Sequence, residues 1–175
     1  MIRSAASLIG STGVSATSFS HILEDSGAPR GSIYHHFPSG KEQLAAAAMD
    51  WTTDRILEHQ NTCKAATPWG VVEHFIDLFR EVVRASNGAS GCAVAGVAVD
   101  TAAEADLMRV VQVTFRSWTD LLTRQLKQAG LEHELARTSA VATVASVEGA
   151  LILCRAEGGG GPLDDVASQI RRSLG

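Results

Sequence analysis

The sequence predicts an all-α protein: an N-terminal head of three short helices followed by a longer helical region, about nine helices in all. Three observations carry that expectation. Apolar residues recur at helical spacing along nearly the whole chain, and no stretch alternates with period two. Alanine, the strongest helix former, fills many of these segments. Cap and stop residues punctuate them.

Ile2, Ala5, Ala6 and Ile9 form one face of a first helix, which Gly13 is expected to close. Thr17 or Ser18 caps a second, short helix that buries Phe19, Ile22 and Leu23, and Gly27 supplies its stop. Pro29 suits the first turn of a third helix, where its missing N–H costs little. Pro38 keeps that helix short by disfavouring helical geometry at Phe37. Ser39-Gly40-Lys41-Glu42 has capping-box spacing, in which serine and glutamate satisfy free amides reciprocally. It opens a long helix through Leu44, Ala47, Ala48, Trp51 and Arg55 to about Asn61.

Thr67-Pro68 caps the next helix, striped by Val71, Val72, Phe75, Ile76, Phe79, Val82 and Val83. After a break at 88–91, a short helix is expected over 93–101 and a long one over 104–128. Leu107, Val111, Phe115, Trp118, Leu122 and Leu126 lie on the apolar side of the long one. Another helix covers roughly 133–155. A glycine loop at 158–161 leads into the last, which Pro162 opens and whose Leu163, Val166, Ile170 and Leu174 face inward.

With 175 residues, 45% of them hydrophobic, and a net charge of −4, the chain can bury a core and is not intrinsically disordered. Charged residues interrupt the apolar runs before about 18 positions, so no membrane-spanning helix is expected. No basic, apolar leader opens the sequence, which favours a cytoplasmic location. Cys63, Cys92 and Cys154 are odd in number, widely spaced and without a CxxC, as suits a reducing compartment rather than disulfides or structural zinc. The acidic total divides unevenly. Residues 1–41 hold Arg3, Arg30 and Lys41 against Glu24 and Asp25, a net +1, which leaves −5 for the rest.

The informative stretch is 17–44, TSFSHILEDSGAPRGSIYHHFPSGKEQL. Two short helices around a glycine-containing turn are the minimum for a helix-turn-helix, whose second helix enters the major groove. Ile33 and Phe37 point inward, leaving Arg30, Ser32, Tyr34 and His35 toward solvent with groups that bond phosphates or base edges. Lys41 lies in the first turn of the next helix, whose amides also attract anions. Thr17 and Ser18 are placed for a phosphate. His36 is expected to tuck beside Phe37, on a different face from His35, which argues against a metal site.

With its flanks, this stretch resembles the tetracycline-repressor (TetR) type of bacterial transcription regulators. The likeness runs through Ser4-Ala5-Ala6, Gly13, Ala16-Thr17-Ser18, Ile22 and Gly27. It finishes with Gly31-Ser32-Ile33-Tyr34-His35-His36-Phe37 and Lys41-Glu42-Gln43-Leu44, covering 2–48 almost without a gap. Gly91-Cys92-Ala93, residues 145–155 (ASVEGALILCR) and Pro162-Leu163 look like the LmrA/YxaF-type branch. Such regulators usually carry a basic arm before the first helix, whereas this sequence begins almost inside it.

The resemblance implies a DNA-binding domain over 1–46 and a ligand-binding and dimerisation domain over 47–175. It implies a homodimer that sets two recognition helices about 34–36 Å apart on a palindromic double-stranded operator. A small-molecule effector that prefers the non-binding geometry would release the DNA, making the chain a repressor. DNA contacts would come from Thr17, Ser18, Arg30, Gly31, Ser32, Tyr34, His35 and Lys41.

Trp51, Phe75, Phe79, Met108, Phe115 and Trp118 either line an effector cavity or form plain core. Such a lining favours a largely apolar compound. Glu148 lies among Val144, Val147 and Leu151 and must find a partner, face a cavity or sit at an exposed position. The small residues Ala142, Ala145, Ser146, Gly149 and Ala150 make a flat helix face that fits either a dimer interface, with Ile170 adding apolar area, or tight packing within one subunit.

No catalytic triad, HExxH or Gly-rich phosphate loop appears, so no enzyme activity, cofactor or metal is expected. Glu148 with His133 or Cys154 is the best polar set an enzyme could use. A helical interaction protein or anti-repressor of the same fold, without direct DNA binding, is the alternative.

Overall fold

The computed structural model describes residues 1–100 and 105–174, and among these it contains nine α-helices and no strand. In chain order they are α1 (Ile2–Ala16), α2 (Phe19–Ser26), α3 (Ser32–His36), α4 (Lys41–Asn61), α5 (Pro68–Ser86), α6 (Ala93–Asp100), α7 (Ala105–Gln128), α8 (His133–Glu157) and α9 (Gly161–Leu174). The expected helix ends at residues 101 and 104 lie outside the described residues.

Caps explain most of the boundaries. Ser18 and Thr67 accept backbone N–H bonds from His21 and Gly70, each at 3.2 Å, and begin α2 and α5. Gly27 and Gly158 end α2 and α8 in the left-handed region that glycine tolerates.

Three local expectations are corrected. Gly13 (φ 80°, ψ 172°) kinks α1, and the chain adds a further turn before Thr17. Pro29 precedes α3 instead of opening it: its carbonyl accepts the Ser32 N–H at 3.0 Å in a turn ahead of the helix. The N–H of Ser39 is accepted by Gln43 Oε1 at 3.0 Å, so Gln43 takes the part assigned to Glu42. The cause is register, because α4 starts at Lys41 and its third residue reaches back.

The helices gather into two compact units, Met1–Asp54 with Gly91–Thr114, and Arg55–Ser90 with Phe115–Gly175. In the first unit, α1 packs most extensively on α6. Glycines allow it. A Cβ on Gly10 would strike the carbonyl of Gly91, and one on Gly96 would strike that of Ile9. Backbone therefore meets backbone, with Ala5, Ala6, Ile9, Ala93, Val94 and Val97 all buried in this unit.

In the second unit, α5, α8 and α9 pack together. The α5 stripe is buried as its periodicity requires, from Val71 to Val83. Arg80 ties α5 to α9 through Asp164 at 2.9 Å while also bonding Asp77 at 2.8 Å. Buried Gln60 donates to Gln125 Oε1 at 2.8 Å, and Gln125 donates back to the Gln60 carbonyl at 2.9 Å. By length and composition α8 is long and apolar enough to cross a membrane, a test that a buried core helix also passes. The expectation that charge rules out every such stretch is corrected here, since Glu148 and Arg155 are outweighed by their apolar neighbours. Within the unit, the inner face of α8 is buried through Ala136, Val144, Val147 and Leu151.

Gly96→Ala tests the glycine seam. Alanine favours a helix by about 1 kcal/mol over glycine, but overpacking against an immovable carbonyl costs about 1–3 kcal/mol or more. We expect a net loss and a melting temperature lowered by several degrees. A stabilised variant would show that the two backbones are not in contact there.

Candidate functional site

The site is built on the short helices of the first unit. Ile22, Ile33, Phe37 and Leu44 are buried there, so α2 and α3 spend their apolar faces on the core. Their other faces are left to solvent. Tyr34 is 67% exposed, and its ring meets Phe19 edge-on at 5.6 Å, which steadies the phenol beside α2. Arg30, Gly31 and His35 are exposed beside it in sequence, and a Cβ on Gly31 would meet nothing within 4 Å. Ser18 is half-buried, and its oxygen caps α2 while its O–H is left to donate.

Other head residues are engaged within the protein. Thr17 is only 2% exposed, and its hydroxyl donates to the Gly13 carbonyl at 2.6 Å. It also lies 3.2 Å from the Thr12 hydroxyl. Thr17 therefore departs from its expected phosphate contact, because the turn after the kink consumes the hydroxyl. Ser32 is half-buried and donates its hydroxyl to the Pro29 carbonyl at 2.6 Å.

Lys41 Nζ donates to the carbonyls of Val14 and Ser15, each at 3.1 Å, which leaves one of its three N–H donors for an outside anion. His36 lies beside Phe37 as expected, the ring centroids 6.4 Å apart, but it is exposed, and its ring also meets that of His35 edge-on at 5.4 Å. The two imidazoles are neighbours because α3 is only five residues long and the chain leaves it at Phe37.

A feature the sequence did not reveal joins this region. The carboxylate of Asp100, at the end of α6, accepts the backbone N–H of Ser15. That N–H, the Ser15 hydroxyl, the Val14 N–H and the charge of Lys41 hold the Asp100 carboxyl below the usual range. The two residues are 85 positions apart, so no local pattern could have paired them.

The candidate effector residues divide between the units. Phe75 and Phe79 pair at 5.2 Å, and Phe115 and Trp118 pair edge-on at 5.3 Å, all in the second unit. Glu148 is half-buried in that unit, while Trp51 and Met108 are half-buried in the first. Three buried polar atoms of the second unit have no hydrogen-bond partner among the described residues: Gln60 Oε1, Trp118 Nε1 and Thr143 Oγ1. Such atoms are rare in folded proteins. Gln60 and Thr143 were legible only as polar breaks in apolar stripes.

On α8, Ala142, Ala145 and Gly149 are exposed and Ser146 is half-buried, as is Ile170 on α9. Val141 and Ile152 are exposed along the same helix, and a Cβ on Gly149 would meet nothing. Ala150 is corrected: at 1% exposure it belongs to the inner face, because the helical turn from Gly149 carries it toward the core.

Two short helices around a tight turn, with an apolar inner face and a polar outer one, define a helix-turn-helix regulator. The family model for bacterial regulatory proteins of the tetR family matches residues 1–48. That for the C-terminal domain of LmrA/YxaF-like transcriptional regulators matches 68–169. An HTH-type transcriptional regulator of Mycobacterium tuberculosis is 33% identical over 99% of this chain and 92% of its own length. The HTH-type regulator YxaF of Bacillus subtilis is 30% identical over 97% of this chain and 91% of its own length. A TetR regulator from Legionella pneumophila shares the fold with a TM-score of 0.87, at 24% identity, covering 99% of this chain and 95% of that one. The chain belongs to the TetR family of bacterial transcriptional regulators, in its LmrA/YxaF-like branch; it is a helix-turn-helix DNA-binding regulator and not an enzyme.

Replacing Tyr34 with alanine should weaken binding to a duplex recovered by the wild-type chain from a random pool by roughly 5- to 150-fold, the equivalent of about 1–3 kcal/mol for a lost base or phosphate contact. The melting temperature should hardly move, because the side chain is exposed. Fluorescence anisotropy and a thermal melt check both. Undiminished affinity would remove Tyr34 from the reading face.

Proposed function

We propose that this chain is a ligand-responsive repressor, acting as a homodimer on a palindromic operator in the cytoplasm. The observation that carries this reading is the exposed set Arg30, Gly31, Tyr34 and His35, presented by α3 and the turn that leads into it, with the other face of α3 anchored through Ile33. In this reading Arg30, Tyr34 and His35 reach base edges or phosphates, and the Gly31 backbone approaches closely. Ser18 and the remaining N–H of Lys41 hold phosphates, and the oxygen of Ser32 accepts from the DNA where geometry allows. Residues 1–46 are the reading part, and 47–175 hold the effector and make the dimer.

The dimer reading rests on the flat α8 stripe of Ala142, Ala145, Ser146 and Gly149, with Ile170 on α9 adding apolar area. Small side chains let a second copy's helix approach closely, and a twofold contact uses the same patch on both copies. The effector reading rests on the aromatic pairs Phe75/Phe79 and Phe115/Trp118, with Trp51, Met108 and Glu148 as further candidates. The unpartnered atoms of Gln60, Trp118 and Thr143 support a mainly apolar compound carrying a few hydrogen-bonding groups. Such a compound shifts the regulator only if it binds the non-binding geometry more tightly.

The test is a titration of the full chain onto its selected duplex, with light scattering to give the mass of the free protein. Gly149→Arg should convert the dimer to a monomer and cost at least tenfold in DNA affinity. A panel of apolar compounds should contain one that releases the duplex. A wild-type monomer that binds the duplex fully, or a Gly149→Arg dimer, would overturn the dimer assignment; DNA binding that no compound changes would count against the effector.

A further inference from the structure

The last turn of α1 is held from two sides by residues far along the chain. After the Gly13 kink, the N–H of Ser15 has lost a regular helical partner, and the Asp100 carboxylate accepts it. On the carbonyl side, Lys41 Nζ donates to both Val14 and Ser15 at 3.1 Å. Carboxylate and ammonium thus grip one short turn, and the nearby lysine charge adds to the N–H bonds that favour the ionised Asp100 carboxylate. Gly13 fits this arrangement twice over: its φ of 80° suits glycine, and a Cβ there would sit 3.0 Å from Asp100 Oδ2. Immediately beyond the turn come Thr17, whose N–H bonds Val14 O at 3.2 Å, and Ser18, the cap of α2. Wherever this turn is held, α2 begins.

We infer that Asp100 is a positioning residue for DNA binding, fixing through Ser15 and Lys41 the end of α1 from which α2 and α3 are hung. The inference rests on the reading of residues 17–44 as the DNA-contacting part. Asp100 touches no DNA in this account, and its effect has a sign opposite to that of its charge. A carboxylate near a DNA-binding surface repels phosphate, so its removal by electrostatics alone would tighten binding. Release of the turn instead weakens it, since α2, α3 and the lysine lose their common support. The carboxylate is exposed, so global stability depends little on it.

The experiment uses the full chain with Asp100→Ala, Asp100→Asn, Lys41→Ala and the Asp100→Ala/Lys41→Ala double variant. Affinity is measured on the duplex the wild type recovers from a random pool, and exchange of the Ser15 amide is followed in the free protein. Asp100→Ala should bind about tenfold more weakly. Asp100→Asn keeps an oxygen for the Ser15 N–H and should lose only a few fold. The two single alanine changes should combine to less than the product of their separate effects. Exchange at Ser15 should quicken in Asp100→Ala while amides in α5 and α8 keep their protection.

Unchanged or tighter DNA binding by the Asp100 variants, or undiminished protection of Ser15, would overturn the proposal. If Asp100→Ala does not fold, Asp100→Asn decides, and tighter binding by it would be equally fatal. A wild type that recovers no duplex would defeat the DNA reading together with this proposal. DNA binding indifferent to Asp100 would defeat this proposal alone.

Discussion

The contact between α1 and α6 at Gly10, Gly91 and Gly96 is the constraint on which the first unit depends. Backbone lies against backbone there, so neither helix can take a side chain at the crossing without moving the other. Close packing of this kind resists sliding, because atoms already at van der Waals distance leave no volume for adjustment. α1 is thereby given one position. Its kink at Gly13, the turn that follows, and the cap at Ser18 are set in succession from that position. A reading surface needs this kind of support, since the helix that carries it is five residues long and could not hold its shape alone.

The same surface shows how a chain with net charge −4 belongs to a DNA-binding family. Residues 1–41 are only slightly basic, and Lys41 spends two of its donors on carbonyls. Little long-range attraction is left over, so affinity has to come from groups held in the right place rather than from accumulated charge. Tyr34 fits that need. Its ring is braced by Phe19 and its hydroxyl is free to face outward. Pairing two weak heads in a dimer would supply the rest through effective concentration.

Much of the fold was legible in the sequence because its determinants are local. The α5 stripe, the Thr67 cap and the Gly27 stop each act within a few residues, and the structure carries all three. Tyr34 and His35 were readable as exposed because Ile33 and Phe37 fix which side of α3 faces the core. What could not be read was decided at a distance. The carbonyl partners of Lys41 lie 27 and 26 residues back, and the N–H held by Asp100 lies 85 residues back. Thr17 is a good cap and a good phosphate ligand by type, yet the kink at Gly13 turned its hydroxyl inward. The side chains named for an effector were chosen by spacing, which separates core from solvent but not core from cavity. The unpartnered atoms of Gln60, Trp118 and Thr143 are set by tertiary packing, which no local pattern encodes.

The central claim, that residues 17–44 read DNA as one half of a twofold assembly, is most directly tested by hydroxyl-radical footprinting of the wild-type chain on the duplex it selects. Two protected patches related by a twofold axis, their centres about one helical turn or about 34–36 Å apart, are predicted. A single unsymmetrical patch, or protection that does not depend on sequence, would contradict it.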